Sequence, residues 1–257
     1  MTAPATPRTK FTDHFSPVSG AYADFRPTYP AALFDWLADV APARGRVWDC
    51  ACGSGQASLD LAARFVQVEA ADASAAQLAG VVAHPGVHYR QAPAEDSGLD
   101  TASMDLVTVA QALHWFDLPR FYDEVRRVLK PGGVLAVWSY GVQRVEGEAV
   151  DALVQRFYRE TVGPFWPPER AWVEQGYRGL DFPFEAIRAP TFAMTAHWSL
   201  PQLLGYFRSW SATGRYLAVQ GKDPVDPLAE VLLPLWGDPQ SLREINWPLA
   251  VRAGRVV

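Results

Sequence analysis

The segment formed by residues 49–55, with the sequence DCACGSG, limits the possible folds of this chain more than any other. An apolar run over residues 46–51 leads into it and predicts a short buried strand, and residues 56–65 have the pattern of a helix. Gly53 and Gly55 let the backbone approach a ligand closely, and the amide groups that open a helix can bind one. A strand, a glycine loop and a helix in this order predict a nucleotide-like ligand at the carboxyl end of a parallel sheet.

Strands and helices alternate along the first part of the chain. Apolar periodicity predicts helices that begin near Ala31 and Ser74 and after Asp117, an acid that can cap the first turn. Strands are predicted over residues 46–51, 67–71, 87–91, 105–110 and 134–138, with two more near residues 192–198 and 244–251. This alternation predicts an α/β fold with a Rossmann-like, doubly wound sheet that carries helices on both faces.

The composition argues against several classes of function. The net charge is −5, and the chain lacks the basic surface that nucleic-acid binding requires. Cys50 and Cys52 lie too close together for an unstrained disulfide, and no second Cys/His cluster completes a zinc site. No stretch has the pattern of a signal peptide or of a membrane-spanning helix. We therefore expect a cytoplasmic monomer or homodimer that binds no metal, nucleic acid or membrane.

Three features near the loop distinguish the candidate ligands. Ser58 stands where a dinucleotide-binding fingerprint has its third glycine, and the Gly-Lys-Ser/Thr run of a P-loop is absent. The carboxylate of Asp49, just before the glycines, would repel a pyrophosphate but would suit an ammonium group. Asp72 ends the second strand, where an acid either accepts hydrogen bonds from ribose hydroxyls or caps the following helix. These features favour a ribose-containing zwitterion.

Five motifs follow one another in the order of a known family. They are VWDCACGSGQ at residues 47–56, DAS at 72–74, AED at 94–96, QALHWFD at 111–117 and RVLKPGG at 127–133. Together they resemble the class I S-adenosylmethionine (SAM) dependent methyltransferases of the type 11 group, over about residues 15–140. The run YADFRPTYP at 22–30, with the HWF motif, is similar to a narrower branch of trans-aconitate methyltransferase-like enzymes, which methylate carboxylates of small acids.

The resemblance implies the seven-stranded sheet of this class, with an antiparallel last strand pair and an aromatic-rich helical cap. Residues 141–190 are rich in proline, aromatic and charged residues, which indicates such a cap rather than another βα repeat. We therefore expect a flexible tail at residues 1–14, a SAM-binding core at 15–140 and a cap or insertion at 141–190. Residues 191–257 would supply the strands and helices that complete the sheet and the substrate pocket.

SAM is the cofactor that the resemblance implies. Its methionine part would lie against Ala51, Gly53 and Gly55, although the family more often has glycine at the first of these positions. Asp49 would hold the amino group and Asp72 the ribose hydroxyls. The positions implied along the adenine, the ribose or the methionine are Ala73, Ala94, Glu95 and Gln111.

Two residues before the first helix are candidates for a lid. Tyr22 and Arg26 could fold over the cofactor, and the Arg26 guanidinium could pair with a carboxylate of SAM or of the substrate. The alternative is a surface arginine held by the neighbouring prolines.

Methyl transfer from a sulfonium depends on positioning and desolvation more than on an enzyme nucleophile. A general base is needed only if the acceptor must lose a proton, and a carboxylate is already ionised at neutral pH. His114 is either that base or a histidine that hydrogen-bonds to the backbone and holds its loop. Candidates for substrate binding, with core or surface roles as the alternative, are Trp115, Trp166, Trp198, Trp210, Arg208 and Arg215.

We therefore predict a SAM-dependent methyltransferase that acts on a small molecule, with O-methylation of a carboxylate favoured. Methylation of a phenol, a quinone-type acceptor or another small molecule stays open. An NAD-dependent oxidoreductase is a further alternative, against which Asp49, Ser58 and the lack of a Tyr-x-x-x-Lys pair argue. The last alternative is a non-catalytic protein that binds SAM.

Overall fold

The computed structural model describes residues 27–256, and a mixed β-sheet forms its centre. The sheet of the described residues has nine strands: β1 (Arg46–Cys50), β2 (Gln67–Asp72), β3 (Val87–Gln91), β4 (Met104–Ala110), β5 (Leu129–Tyr140), β6 (Arg144–Val145), β7 (Glu185–Ile187), β8 (Ala193–Trp198) and β9 (Arg243–Arg255). Strands β3, β2, β1, β4 and β5 lie side by side in this order and run parallel, and β9 pairs antiparallel with β5. The predicted doubly wound sheet with an antiparallel last pair is confirmed.

The long strand β9 explains why the sheet has two strands more than the seven expected. Its C-terminal half lies between β5 and β7, since Ala253 pairs with both Ala136 and Ile187. Its N-terminal half, around Asn246, lies between β6 and β8 instead. Because β9 runs antiparallel to β5, this small extension stands at the carboxyl end of the parallel strands, where open α/β sheets bind their ligands.

Helices cover the sheet and its carboxyl end. The α-helices are α1 (Ala31–Val40), α2 (Gln56–Ala62), α3 (Ala75–Leu78), α4 (Leu118–Val128), α5 (Glu148–Arg156), α6 (Arg170–Glu174), α7 (Leu200–Arg208), α8 (Ser211–Gln220) and α9 (Val225–Trp236). A π-helical turn, Phe157–Thr161, extends α5, and 3-10 turns occupy Leu113–Trp115 and Gly163–Phe165. Asp117 caps α4 as predicted, because its Oδ1 accepts a hydrogen bond from the Arg120 N–H (3.5 Å).

The third helix is shorter than its sequence pattern predicted. The expected helix over residues 74–82 ends at Leu78 in the structure. Gly80 and the β-branched Val81 and Val82 have low helix propensity, so the chain leaves the helix after one turn. Strands β5 and β9 are longer than predicted, because neighbouring strands continue to pair with them beyond their apolar runs.

Three hydrophobic clusters fill the structure. Adjacent residues of β1 point to opposite faces of the sheet, so that Val47 joins a cluster with α1 and Trp48 joins a cluster with α4. The third cluster, the cap core, lies around Trp247 and the helices α5, α7 and α9. It combines side chains from residues 140–162 and 194–247, so two separate chain segments build one cap. Tyr140, at the carboxyl end of β5, connects this cap core to the sheet.

The described part of the chain contains no helix that is both long and apolar enough to cross a membrane. Within the same residues, no group of three or more His, Cys, Asp or Glu side chains could hold a metal ion. Cys50 and Cys52 are free thiols. Burial first, and then the neighbouring Asp49, raises the pKa of each thiol above its usual range, so both stay protonated.

Candidate active site

The predicted glycine loop connects β1 to α2 through left-handed backbone conformations. Ala51 and Gly53 both have φ of 56°, and Gly55 has φ of 84°. A Cβ atom on Gly55 would lie 2.6 Å from the hydroxyl oxygen of Tyr89, so a larger residue could not replace it without displacing that tyrosine. At Ala51 the chain accepts the less favourable angle that a glycine would take easily. The loop is therefore shaped by its backbone, with α2 beginning directly after it.

Asp49 lies beside this loop as a fully buried carboxylate. Its Oδ2 accepts a hydrogen bond from Ser58 Oγ (2.6 Å), and its Oδ1 accepts one from Thr108 Oγ1 (3.1 Å). Burial raises the pKa of Asp49 to about 6, although the two hydroxyl hydrogen bonds lower it and the nearby Asp72 raises it further. Ser58, which replaces the third glycine of a dinucleotide fingerprint, thus orients the acid that an ammonium group would meet.

Asp72 joins the loop to the end of β2. Its Oδ2 accepts a hydrogen bond from the Gly53 N–H (2.9 Å), and its Oδ1 accepts one from the Ser74 N–H (2.8 Å). The side chain that caps α3 is that of Ser74, whose Oγ accepts from the Gln77 N–H (3.4 Å). Asp72 therefore fixes the position of the glycine loop, and its binding of a ribose stays a prediction.

A small cavity opens against the loop. Three of the predicted cofactor residues, Asp49, Ala51 and Gly53, contribute to its wall. Sequence analysis missed Tyr29 and Gln77, which also line it. Tyr29 belongs to the YADFRPTYP run that carried the resemblance, whereas nothing in the sequence distinguished Gln77. The remaining lining residues are Cys52, Ser54, Gln56, Ala57 and Ala110.

The residues predicted near the adenine occupy the ends of β2 and β3. Ala73 follows Asp72 directly, and its carbonyl accepts a hydrogen bond from Gln91 Nε2 (3.0 Å). Ala94 is buried. The Glu95 carboxylate accepts a hydrogen bond from the Asp117 N–H (2.9 Å), so it holds the start of α4. Contact of these residues with an adenine stays a prediction.

Gln111 directly follows β4 with a left-handed φ of 60° and turns the chain towards His114. Its backbone N–H donates to the Trp138 carbonyl (2.9 Å), and its Nε2 donates to the Tyr140 carbonyl (3.3 Å). The carboxyl ends of β4 and β5 are thereby held together below the cap.

Within residues 27–256, the His114 ring is hydrogen-bonded to a tyrosine and not to the backbone. Its Nδ1 lies 3.0 Å from the hydroxyl of Tyr177, and its ring lies 4.6 Å from that of Trp115. Burial, followed by the charge of Arg170, lowers the pKa of His114 to about 3. The imidazole is therefore neutral at physiological pH and is a poor proton acceptor there.

The predicted substrate-binding tryptophans occupy different places in the cap. Trp210 is buried in the cap core, and Trp198 packs against Trp247 at a ring distance of 5.0 Å. Trp166 contacts Trp210 and Tyr158, and its indole N–H has no acceptor among the described side chains and backbone. Of the three, only Trp166 has a buried indole N–H without an acceptor among the described residues.

The two arginines predicted to bind the substrate, Arg208 and Arg215, have partners in the cap. The Arg208 guanidinium pairs with Asp223 and Asp226, each at 2.7 Å, and no contact joins it to the loop or to His114. Arg215 donates to the Phe165 carbonyl (3.3 Å). Tyr22 and Arg26, the predicted lid residues, lie outside the described residues.

A different arginine, Arg170, was missed by sequence analysis. It begins α6, and its guanidinium lies 4.8 Å from the centre of the Trp166 ring. Its Nε donates to the Tyr158 hydroxyl (2.9 Å). Nothing in the sequence indicated Arg170, because its contact with Tyr158, twelve positions away, depends on how the chain between them folds.

Comparisons with known proteins give a consistent result. A family model described as a methyltransferase domain matches residues 48–137. A relative from Dictyostelium discoideum that is assigned by name to the methyltransferases is 34% identical over 256 residues, which cover 97% of each chain. A solved structure from Anaeromyxobacter dehalogenans, assigned as a type II methyltransferase, is 50% identical, with a TM-score of 0.85 over 90% of this chain and 98% of that one. A Saccharomyces cerevisiae protein assigned as SAM-dependent is 30% identical over 142 residues, 52% of this chain and 47% of that one.

Proposed function

The chain belongs to the class I SAM-dependent methyltransferases of the type 11 group, and on that premise we propose that it methylates a carboxylate oxygen of a small molecule. Its cofactor is SAM. The fit of the site to this cofactor is supported by the buried, hydrogen-bonded Asp49 beside a glycine loop that leaves room for a ligand. In the proposal, Asp49 meets the ammonium group, and the backbone of Gly53 and Gly55 meets the rest of the methionine part.

Asp72 and the strand ends would hold the remainder of the cofactor. Asp72 would accept hydrogen bonds from the ribose, and Ala73, Ala94 and Glu95 would surround the adenine. Gln111 would lie on the methionine or ribose side. When bound, SAM supplies a methyl group that is already activated for displacement, so the chain's own residues must bind the acceptor, orient it and exclude water.

The low pKa of His114 is the observation that favours a carboxylate over a phenol or an amine as the acceptor. A phenol or an amine must lose a proton before or during methyl transfer, and this requires a base with a pKa near the working pH. His114, with its pKa lowered to about 3, is poorly suited to that task. Burial raises the pKa values of Tyr158, Tyr177 and Tyr206, so these phenols stay protonated and do not serve as bases. A carboxylate needs no base, because it is ionised at neutral pH.

The experiment compares acceptors and the His114→Ala variant. Purified protein is incubated with SAM and a matched panel of small carboxylic acids and phenols, and formation of S-adenosylhomocysteine is measured. We expect carboxylic acids to be methylated, and we expect His114→Ala to change kcat by less than about tenfold. A general base contributes about 10²- to 10⁴-fold. A loss of that size, together with methylation of phenols only, would contradict the proposal.

The same incubation tests whether the protein is catalytic. Calorimetric titration with SAM measures binding alone, and formation of S-adenosylhomocysteine measures turnover. SAM binding without turnover of any acceptor would favour the non-catalytic alternative.

A further inference from the structure

Tyr177 has a backbone conformation that bulky residues rarely adopt. Its φ is 59°, and so is that of the preceding Gly176. Such a left-handed conformation is unfavourable for a tyrosine, persists only where the surrounding structure enforces it, and is found most often at functional sites. Here the Tyr177 carbonyl accepts hydrogen bonds from the Arg252 guanidinium and from the Leu180 N–H (3.1 Å). Strand β9, which carries Arg252, therefore helps to hold the turn in place.

This turn places the Tyr177 hydroxyl beside the His114 imidazole. The tyrosine is 1% exposed, and its hydroxyl oxygen lies 3.0 Å from His114 Nδ1. Burial raises the pKa of Tyr177, so the hydroxyl keeps its proton. Among residues 27–256, Nδ1 is the only hydrogen-bond acceptor that this O–H meets. The side chain of the strained residue thus directs its one proton at His114.

Tyr177 thereby determines which nitrogen of His114 carries the proton. The imidazole is neutral at physiological pH, and a neutral imidazole has one N–H donor and one acceptor nitrogen. If Nδ1 carried the proton, the buried O–H of Tyr177 would lose its acceptor, which disfavours that form by about fivefold to 150-fold. Nδ1 is therefore the acceptor, and Nε2 carries the proton. No residue among 27–256 accepts a hydrogen bond from Nε2, and His114 is partly exposed, so this N–H is available to a ligand.

The pair of His114 and Tyr177 lies at the end of the sheet where open α/β folds bind their ligands. His114 belongs to the turn Leu113–Trp115, which follows the carboxyl end of β4, and Tyr177 follows the helix α6. Tyr177 is within electrostatic range of Tyr29, which lines the cavity at the glycine loop, although neither member of the pair lines that cavity itself. The Nε2–H therefore stands beside the cofactor cavity rather than within it. With SAM in the cavity, the molecule that this N–H meets is the methyl acceptor.

We propose that Tyr177 is a positioning residue, which holds His114 in the form that presents Nε2–H to a carboxylate oxygen of the methyl acceptor. The other carboxylate oxygen then attacks the methyl carbon, a C–O bond forms, and the C–S bond of SAM breaks with its electron pair left on sulfur. No proton leaves or enters the acceptor, so His114 acts as a hydrogen-bond donor throughout and never as a base. This inference rests on the proposed function and gives the acceptor carboxylate a binding partner.

The tautomer of His114 can be measured without a substrate, by long-range ¹H–¹⁵N correlation spectra of protein labelled at its histidines. His114→Ala identifies the signals of His114. We expect the Nε2–H form in the wild type at pH 7 and a larger share of the Nδ1–H form in Tyr177→Phe. The matched control Tyr122→Phe removes the hydroxyl of another buried tyrosine, which donates to the Asp181 carbonyl (2.6 Å), and should leave the tautomer unchanged. A wild type in the Nδ1–H form, or a tautomer that Tyr177→Phe does not change, would overturn the inference.

Steady-state kinetics with the small carboxylic acids test the binding role of the Nε2–H. Tyr177→Phe should raise KM for an accepted acid about threefold to tenfold, the effect of one hydrogen bond, with a smaller change in kcat. His114→Gln keeps a side-chain N–H and should retain more affinity for the acid than His114→Ala, and Tyr122→Phe should leave KM unchanged. The thermal midpoint and the SAM affinity of each variant show whether it is folded. If Tyr177→Phe does not fold, the wild-type tautomer and the comparison of the two His114 variants decide.

The outcomes separate this inference from the proposed function. A wild type that methylates carboxylic acids, with a KM that neither Tyr177→Phe nor His114→Ala changes, would contradict the role of the pair only. A wild type that methylates no carboxylic acid would contradict the proposed function, and with it the carboxylate as the ligand of His114. The spectra then still judge whether Tyr177 fixes the tautomer.

Discussion

We expect the affinity for SAM to depend on pH through Asp49, because the pKa of its buried carboxylate is raised into the range of an assay. With a pKa of about 6, about ten in eleven protein molecules carry an ionised Asp49 at pH 7, and about one in eleven at pH 5. In the proposed binding mode, the ammonium group of SAM interacts favourably with the ionised form. SAM affinity should therefore fall about tenfold from pH 7 to pH 5, equivalent to about 1.4 kcal/mol.

Isothermal titration calorimetry at pH 5, 6 and 7 measures this change. The control ligand is 5′-methylthioadenosine, which lacks the amino-acid part of SAM and should bind with nearly constant affinity. Ser58→Ala provides a second control: it removes a hydrogen bond that lowers the Asp49 pKa, so the loss of affinity should begin at a higher pH. Equal SAM affinity at pH 5 and pH 7, or the same pH dependence for both ligands, would refute the role given to Asp49.

Three further predictions concern the loop. Asp49→Asn should stabilise the cofactor-free protein at pH 7 by up to about 3 kcal/mol, measured by denaturant unfolding. The stability that the raised pKa of Asp49 contributes is complete below pH 3.8 and is lost as the pH rises through about 6, whereas asparagine stays neutral. The gain in stability should be small at pH 4, and no gain at pH 7 would contradict the prediction. Gly55→Ala should lower the stability by about 1–3 kcal/mol, because of its left-handed φ and the clash with Tyr89, and it should weaken SAM binding. The control Gly214→Ala places a methyl group in open space on α8 and should not destabilise the fold. Asp72→Ala leaves two backbone N–H groups without their acceptor and should weaken SAM binding at least about tenfold by calorimetry; unchanged affinity would remove it from the site.

The sheet and the glycine loop were predictable because both depend on local sequence. The strands β1, which contains Asp49, and β2, which ends at Asp72, are short and largely buried. The helices α2, α3 and α4 begin after Gly55, Ser74 and Asp117, residues that favour a helix start. Ser58 stands where a dinucleotide-binding fingerprint has its third glycine, and this difference argued against a dinucleotide as the ligand. Its hydrogen bond to Asp49 joins two residues nine positions apart across a helix start, which the motif suggested but could not specify.

The acceptor side of the site depends on long-range packing and was not predictable. Tyr158 and Arg170 meet because a π-helical turn and a short helix fold back on each other. Arg208 was a candidate for substrate binding because it flanks Trp210, yet the structure pairs it with two acids of the following segment. The strength of the desolvation that lowers the His114 pKa likewise depends on residues far away in sequence, such as Tyr177.

The alkali stability of the methylated product tests the proposed carboxylate methylation most directly. Protein is incubated with SAM that carries a labelled methyl group and with an acid that the panel identifies as an acceptor, and the isolated product is treated with alkali. A methyl ester hydrolyses under these conditions, so we expect the label to be recovered as methanol. Label that remains in an alkali-stable ether, amine or C-methyl product would contradict methylation of a carboxylate.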